Sequence, residues 1–500
     1  MKTERIIPFA LLISAALVSC QKENINSPTE PEKSIQKTIT IADTPWTGDA
    51  ETRSFFEEGV GVHLNKLENM SVYYWKYIAN ETEPTANTNI LYTLLDEKNN
   101  ITGATANTAG TWTFSHPVIE GADSYNYFFV IPHTNMNVLN QTKIGHSFRL
   151  ASIQSPEILN KFKGCESSPL SFDPMMDCHI GQAQYGVGIA TEMSDIHFKR
   201  IFTPLKLTVT DSKNVLEGAP VYTVTLKSNA VATQTQTLTG ISYFKHSDKF
   251  EDAKLSSIDK ASVGNGVSTI YQTPIAKSGD SYTTWFIVNP TKLPAGELLT
   301  VSVTTATKTI TRTVNGTELD IKDNTINELS FDISGAGSTT EQSDYFYFKM
   351  ERINELKNLV GSNTGAKPWT HSKCDLLRDV GNSQFNNALR IKTTQEKDKT
   401  TGEILSTTVG TVTYTAIPNK SLKRIRFYGH PRATTNPVTI EVKSGEEMIG
   451  TIPLSFNEIG KNGGYCELEI PAAHSASNLT FNIKGTNPAI ISAATLFFNE

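Results

Sequence analysis

Short runs of alternating apolar and polar residues dominate the sequence, and breaks rich in Gly, Asn, Asp and Pro separate them. In "SIQKTITIAD", for example, Ile35, Ile39 and Ile41 fall on one face of an extended strand and polar residues on the other. The same pattern recurs in "SVYYWKYI" (71–78), "SYNYFFVIP" (124–132), "PLKLTVT" (204–210), "VYTVTLK" (221–227) and "ELLTVSVTT" (297–305). Long helical periodicity is nearly absent, so the pattern predicts an all-β protein built from β-sandwiches.

The pattern changes twice after residue 334. The stretch "SGAGSTTEQS" is small and polar, which predicts a linker between domains over residues 335–343. Beyond it, apolar residues at helical intervals, followed by Gly361, predict one helix. Those apolar residues are Met350, Ile353, Leu356 and Val360.

Strand-like segments then continue to the end of the chain. Val438, Ile440 and Val442 alternate before the turn "SGEE", as expected of a hairpin. The last segment, "AIISAATLFFNE", also alternates, and pairing inside a C-terminal sandwich explains it without a partner chain. We therefore predict that residues 344–500 form a jelly-roll-like β-sandwich.

The N-terminus combines a basic start with an apolar run over residues 6–17. This run is too short to cross a bilayer, which needs about 20 residues, but it suits a secretory signal. The residues "LVS" before Cys20 resemble the lipobox of bacterial lipoproteins. That resemblance implies cleavage before Cys20, diacylglycerol on its thiol and an acyl chain such as palmitate on its amine, which together anchor a protein stably. The alternative is a plain signal peptide that happens to end at Cys20.

The residues after Cys20 refine the expected location. The sequence "QKE" resembles the short signal that sends some lipoproteins to the outer face of the outer membrane. We predict a signal peptide over residues 1–20, then a tether and a first strand over residues 21–54. The protein would be anchored by lipid in the cell outer membrane and exposed at the surface.

Composition narrows the functions to consider. The formal net charge is −6 and no basic patch stands out, so we do not expect nucleic acid as a partner. The length of 500 residues suggests about three domains, and 38% apolar residues suffice for packed cores. Outside the cytoplasm the remaining cysteines allow two local disulfides, Cys165 with Cys178 and Cys374 with Cys466. Two buried thiol pairs are an equally open alternative.

Two segments resemble fimbrillin-type subunits, the lipoprotein-derived type V pilins. Residues 167–211 contain an FD-x-x-x-D segment and a later Phe-Lys-Arg triplet ahead of a strand. The matching residues are Phe172, Asp173, Asp177, Phe198, Lys199 and Arg200. Residues 283–334 resemble the end of the second fimbrillin domain, with a Pro-bearing turn, a hairpin and an Asn-rich turn. The resemblance, over about residues 1–334, implies two transthyretin-like β-sandwiches, over 55–203 and 204–334, and a role in surface pili or adhesion.

The same resemblance implies how such subunits join. In fimbrillins an Arg-specific protease removes the first strand, and the opened groove accepts a strand from another pilus subunit. Arg53 lies where that cleavage site would fall; the alternative is an ordinary surface arginine and a retained strand. A shaft subunit needs its donor strand soon after the second sandwich, whereas here residues 335–500 follow. This favours an accessory or tip-like subunit.

Motifs for catalysis or metal binding are scarce. Asp177, Cys178 and His179 form the densest set of ligand types, but adjacent strand residues point to opposite faces, so we expect no metal site. The sequence has no Gly-rich phosphate loop, GxSxG or HExxH, and we expect no cofactor and no enzymatic activity. A secreted hydrolase is the least favoured hypothesis, kept because a β-sandwich can hold a pair of glycosidase carboxylates.

A glycan site on the C-terminal sandwich is a further hypothesis. Aromatic side chains in loops can stack on sugar rings, and the candidates are Trp369 in "KPWTHS" and Tyr428, His430 and Arg432 in "RFYGHPRA". The alternative for all four is core or turn packing. The expected partner is a host or bacterial surface glycan or protein. The alternative function is a glycan-binding surface lipoprotein of a polysaccharide-uptake system.

Overall fold

The computed structural model describes most of the chain, in a series of segments. These are residues 34–41, 55–57, 61–63, 71–77, 90–91, 111–117, 124–131, 138–142, 145–156, 172–173, 176–186, 192–196, 198–228, 238–245, 255–258, 265–296, 298–316, 318–323, 325–352, 355–358, 367–377, 388–432, 437–454 and 464–499. Their regular elements are β-strands and short 3₁₀ turns such as Ala472–His474, with no α-helix among the described residues. The all-β prediction is confirmed.

Thirteen strands make up the first part of the chain. They are β1 (Ser34–Ile41), β2 (Phe55–Glu57), β3 (Gly61–His63), β4 (Ser71–Tyr77), β5 (Ile90–Leu91), β6 (Thr111–Pro117), β7 (Ser124–Ile131), β8 (Val138–Thr142), β9 (Gly145–Leu150), β10 (Ile153–Gln154), β11 (His179–Gly186), β12 (Glu192–Ile196) and β13 (Phe198–Arg200). One sheet has the order β13-β11-β7-β4-β5 and another the order β12-β1-β6. The predicted strand at 35–41 is confirmed as β1.

Eleven strands follow in the second part. They are β14 (Thr203–Thr210), β15 (Val221–Ser228), β16 (Gly240–Lys245), β17 (Leu255–Ile258), β18 (Gly266–Ile275), β19 (Ser281–Val288), β20 (Thr291–Leu293), β21 (Leu298–Thr305), β22 (Lys308–Asn315), β23 (Leu319–Ile321) and β24 (Asn327–Asp332). Strands β18-β15-β21-β22 enclose an apolar core with β19-β14-β24. In β14, for example, Leu205, Leu207 and Val209 alternate inward, as a half-buried strand requires.

The first and second parts share sheets across residue 203. Strand β16 pairs with β9 in the four-stranded sheet β17-β16-β9-β8, and β10 pairs in parallel with β18. The Gln154 side chain strengthens the junction, because its Nε2 donates to the carbonyl of Ile287 (2.7 Å) and its Oε1 accepts from the Ile287 amide (2.8 Å). Hydrogen bonds therefore connect the first and second parts, and the division into two sandwiches over 55–203 and 204–334 stays a prediction.

Fourteen strands complete the chain. They are β25 (Ser338–Arg352), β26 (Glu355–Asn358), β27 (Trp369–Ser372), β28 (Asp375–Leu377), β29 (Ala388–Ile391), β30 (Thr393–Lys397), β31 (Ile404–Val409), β32 (Thr411–Tyr414), β33 (Leu422–Pro431), β34 (Val438–Ser444), β35 (Glu447–Leu454), β36 (Cys466–Glu469), β37 (Leu479–Lys484) and β38 (Ala489–Phe498). A five-stranded sheet, β27-β32-β37-β34-β35, packs its apolar face against the sheet that contains β25, β29, β33 and β38. The predicted hairpin is β34–β35, and Gly445 takes the positive φ (+60°) that its tight turn needs.

Strand β25 corrects the prediction of a strand-free linker. Its first half, 338–342, pairs with β22 of the second part, and its second half, 343–347, pairs with β38. A single twelve-stranded sheet therefore crosses this border. The small polar residues that suggested a linker suit an exposed sheet face equally well, because Thr and Ser are accommodated on a pleated surface.

The predicted helix around residues 350–360 is wrong. Strand β25 runs to Arg352 and turns into β26, so that Met350 lies opposite Leu356 in an antiparallel pair. A tight hairpin brings together residues six apart just as a helix brings together residues three and four apart. Spacing alone therefore could not separate the two structures.

Candidate functional site

The first strand of the structure has a neighbour on each side. Strand β1 is antiparallel to β6, from the pair Ser34–Pro117 to the pair Thr40–Thr111. On its other edge it runs parallel to β12, with Thr38 opposite Glu192. Loss of β1 would leave the edges of β6 and β12 two strand spacings apart, about 10 Å. Such a slot has the width of one extended segment and unpaired backbone groups on both walls.

The connection from β1 to the rest of the chain contains Arg53. Residues 42–54 join β1 to β2, which begins at Phe55. A cut after Arg53 would leave β1 attached to the remaining protein by sheet hydrogen bonds alone. Arg53 and Cys20 themselves lie outside the described residues, so proteolytic processing and lipidation stay predictions.

The last strand is buried and paired along its whole length. All ten residues of β38 are buried. Strand β33 covers one edge along the whole length, from the pair Leu422–Phe498 to the pair Pro431–Ala489. Strands β25 and β29 share the other edge. These pairings of β38 match the expectation that this strand pairs within its own sandwich.

Cation–π contacts and an ion pair surround the C-terminal end of β38. The Lys420 ammonium lies 4.4 Å from the ring centre of Phe498 and 2.7 Å from the carboxylate of Asp344 on β25. Arg424 lies 4.0 Å from the ring centre of Phe497. Burial raises the pKa of the Asp344 carboxyl, and the hydrogen bond from Lys420 opposes that rise. The strand is held by packing, backbone pairing and charge together.

Residues that carry the fimbrillin resemblance meet at a buried junction. Arg200 forms two hydrogen bonds to the Asp177 carboxylate, one of them from its Nη2 at 2.7 Å. The Asp173 carboxylate accepts a hydrogen bond from the Ser155 amide (3.0 Å). The rings of Phe172 and Trp285 are 6.5 Å apart. The two polar contacts therefore brace the first part internally, and Phe172 packs it against Trp285 of β19, so the role is structural.

His179 also belongs to this junction. Its Nδ1 lies 3.1 Å from the carbonyl of Asp177, and its Nε2 lies 3.9 Å from the Asp177 carboxylate. Burial lowers the pKa of His179 to about 4 against the opposing effect of Asp177, so the ring is neutral at neutral pH. Asp177 is already occupied by Arg200, and the described residues contain no group of three His, Cys, Asp or Glu arranged to hold a metal ion.

The cysteines support the thiol alternative for one pair. Cys374 is a free cysteine, so the proposed bond to Cys466 does not form in the structure. The Sγ of Cys466 instead donates to the carbonyl of Pro453 at 2.9 Å. Burial raises the pKa of the Cys374 thiol to about 12. Cys178 is buried in the junction core, and its expected partner Cys165 lies outside the described residues.

Three of the four predicted glycan contacts are core residues. Trp369 is 1% exposed at the centre of an aromatic cluster formed with Phe346, Phe348, Tyr414, Phe427 and Phe481. Tyr428 and His430 are buried on β33, which continues to Pro431. Only Arg432 of the four is exposed. The assignment to a loop was wrong because pairing with β38 extends β33 through "GHP".

No helix in the described part of the chain has the length and apolar character needed to cross a membrane.

A cleft in the structure is lined by polar side chains from strands distant in sequence, β15, β21, β22, β25, β33 and β36. Sequence reasoning missed them. Their one local signal is the alternation of Thr, Ser and Lys on the polar faces of "VYTVTLK" and "ELLTVSVTT".

No protein-family model matches the chain, and no curated protein matches it. Solved structures to which the chain is similar include a "putative cell adhesion protein" from Bacteroides ovatus, with 16% identity, coverage of 66% of this chain and 98% of that chain, and a TM-score of 0.34. A second "putative cell adhesion protein", from Bacteroides uniformis, has 11% identity, coverage of 65% and 99%, and a TM-score of 0.29. A fimbrial assembly protein from Parabacteroides distasonis has 12% identity, coverage of 62% and 96%, and a TM-score of 0.25.

Proposed function

We propose that this chain is a cell-surface, fimbrillin-like lipoprotein that acts in adhesion or pilus assembly as an accessory or end subunit. The observation that carries the proposal is the contrast between its terminal strands. Strand β1 fills a slot between β6 and β12 and is separated from the next strand by residues 42–54. Strand β38 is buried at every position and paired on both edges.

This contrast suits a subunit that receives a strand and donates none. Strand addition needs an acceptor slot, which loss of β1 would open, and a donor strand that is available to a neighbour. Extraction of β38 would expose ten buried residues and remove the partner of β25, β29 and β33. A chain with this pair of features ends a filament, because no further subunit can add through its own last strand.

Anchoring and processing follow from the sequence. The lipobox-like "LVS" before Cys20 supports a lipid anchor in the outer membrane with the body of the protein outside the cell. Cleavage after Arg53, followed by displacement of β1, would release the protein from that anchor. The proposed partners are therefore the outer membrane before processing and a pilus subunit afterwards.

The test is strand exchange on the purified, folded protein. An Arg-specific protease should produce a chain that begins at Ser54, with residues 21–53 retained until a synthetic donor strand is added. The donor should then displace the fragment, as seen by mass spectrometry. Arg53→Lys preserves the charge and should resist cleavage. Release of the fragment without any gain of the donor strand would contradict the proposal.

A further inference from the structure

A polar cleft of about 210 Å³ lies on one face of the twelve-stranded sheet. Its lining reaches from β15 to β36, which are six steps apart in the order β15-β21-β22-β25-β38-β33-β36. In a flat sheet six steps span about 29 Å. Because both ends line the same small cleft, the sheet curves there, and its concave face forms the cleft.

Hydroxyl groups form one wall. Thr225, Ser302, Thr311 and Thr339 lie opposite one another on successive strands and so share a face. The Ser302 and Thr311 oxygens are 2.9 Å apart, and the Thr225 hydroxyl lies 2.6 Å from that of Ser268. A hydroxyl donates one hydrogen bond and accepts two, so each retains capacity for a ligand.

Two arginines form the opposite wall in fixed positions. Arg426 is 5% exposed, donates from Nε to Glu467 (2.7 Å) and stacks 3.7 Å above the ring centre of Tyr465. Arg424 donates from Nη2 to Glu341 (2.7 Å). These contacts hold the guanidinium groups without freedom to rearrange, which lowers the entropic cost of binding.

Charge in the cleft is unbalanced. Its charged lining residues are three cations (Lys227, Arg424 and Arg426) and two anions (Glu341 and Glu467), which leaves a net charge of +1 in a protein of −6. Lys227 is half-buried opposite Thr300 and forms no ion pair with any residue that the structure describes. An ammonium group at the hydroxyl wall is thus available to one negative charge.

We propose that this cleft binds a sugar unit that carries one carboxylate, of the uronic acid class. The carboxylate pairs with Lys227, and the ring hydroxyls bond to the hydroxyl wall and to the carboxylates of Glu341 and Glu467. A volume of about 210 Å³ accommodates a single six-membered ring rather than a larger ligand.

The same two carboxylates argue against other anions. A phosphate dianion would be repelled by Glu341 and Glu467 after it had neutralised the single excess positive charge. A neutral sugar would leave Lys227 unpaired. A monovalent acidic sugar brings the cleft to neutrality and uses both of its walls. None of the lining residues belongs to β1, β6 or β12, so binding does not depend on strand exchange.

The test uses the full chain, a short oligomer of galacturonic acid and the corresponding galactose oligomer, compared by calorimetric titration. The acidic oligomer should bind at least about 10-fold more tightly, and added salt should weaken it. Lys227→Gln should remove about that factor for the acidic oligomer and leave the galactose oligomer unchanged. Thr300→Val should weaken both. Lys213→Gln, an exposed lysine outside the cleft, is the matched control and should change neither.

Three results would overturn the assignment. They are equal affinity for the acidic and neutral oligomers, unchanged binding in Lys227→Gln, and inorganic phosphate that competes as tightly as the acidic oligomer. Since Lys227 has no ion pair to lose, its substitution should leave the melting temperature unchanged. A binding defect in Lys227→Gln would then not reflect unfolding.

Discussion

The first and last strands of this chain both lie inside sheets, yet they are held very differently. Strand β1 belongs to a three-stranded sheet and is joined to β2 by residues 42–54. Strand β38 lies between β33 and the pair β25 and β29; all ten of its residues are buried, seven of them in the main core of the C-terminal part. On the proposed function, β1 is the strand that an equivalent segment from outside replaces, whereas β38 is part of the folded core.

Strands β1 and β38 have the same kind of backbone pairing but different proposed roles. Pairing on both edges satisfies the peptide groups of either strand, so hydrogen bonding alone does not decide which one can leave. A cut after Arg53 would remove the covalent link between β1 and β2, whereas β38 carries a large buried apolar area. Burial of a large apolar side chain contributes about 1.5–3 kcal/mol, and β38 contributes several, including Ile490, Leu496 and Phe498.

Deletion of residues 489–500 should have the largest effect. The summed burial of the apolar side chains on β38 approaches the whole stability of a typical domain, about 5–15 kcal/mol. We expect the C-terminal part to lose cooperative unfolding and become protease-sensitive, as measured by urea unfolding and limited proteolysis. If the C-terminal part stays folded after this deletion, β38 is not essential to its core, and the difference drawn between β38 and β1 is wrong.

Cleavage after Arg53 is the counterpart of that deletion at the other end of the chain. It interrupts the chain beside β1 without removing any core residue of the C-terminal part. Hydrogen exchange in β33 and β38 should therefore be unchanged in the cleaved protein. Faster exchange there would mean that the two ends of the chain are coupled.

Substitution of Gly429 should have the next largest effect. At this position β33 approaches β38 so closely that an added Cβ would lie 2.3 Å from the carbonyl oxygen of Ile490. Gly429→Val should force the two strands apart and lower the free energy of unfolding by about 3 kcal/mol. Gly402→Ala, in the exposed β30–β31 turn with open space around it, should cost about 1 kcal/mol through its positive φ alone. Equal effects of the two substitutions would show that β38 tolerates displacement.

The sequence predicted the features that depend on local alternation. Strand β1 and the hairpin that begins at Val438 are examples, because alternation of apolar and polar residues predicts a strand. Prediction from the sequence failed where the pairing of distant strands determines whether a residue is buried or belongs to a strand. Met350 and Leu356 are opposed in a hairpin, and Tyr428 and His430 are buried because β33 extends along β38. The cleft residues, from 225 to 467, come together only through the curvature of the sheet, which no local pattern records.

Acidification should lower the stability of the first part more than that of the C-terminal part, by a smaller amount than the changes above. Burial holds the pKa of His179 at about 4, whereas an unfolded histidine titrates near 6.5. As the pH falls below 6.5 the unfolded chain binds this proton and the folded chain does not, so stability is lost between pH 6.5 and 4. The expected loss from pH 7 to pH 5 is about 2 kcal/mol. The loss would be measured by urea unfolding at pH 7 and pH 5, with hydrogen exchange in β11 and β7 as the local readout.

His371 of the C-terminal part is the control for that prediction. Burial lowers its pKa as well, but the residue is only half-buried, whereas His179 is fully buried. His179→Gln should therefore flatten the pH dependence between pH 6.5 and 4 more than His371→Gln does. Equal flattening, or none in His179→Gln, would remove the proposed acid sensitivity of the first part.

The smallest expected effect concerns the point where β25 passes from β22 to β38. There the hydroxyls of Ser343 and Thr309 are 3.0 Å apart and both residues are buried. Ser343→Ala removes this contact but leaves Thr309 its hydrogen bond to Thr304 (3.1 Å), so the cost should be about 1 kcal/mol. Because β25 belongs to both parts of the sheet, the loss should increase hydrogen exchange in β22 and β38 together. Ser406→Ala, on the exposed β31, should change neither strand. An effect of Ser343→Ala confined to β38 would mean that β25 joins two independent sheets, and that the enclosure of β38 owes nothing to the second part of the chain.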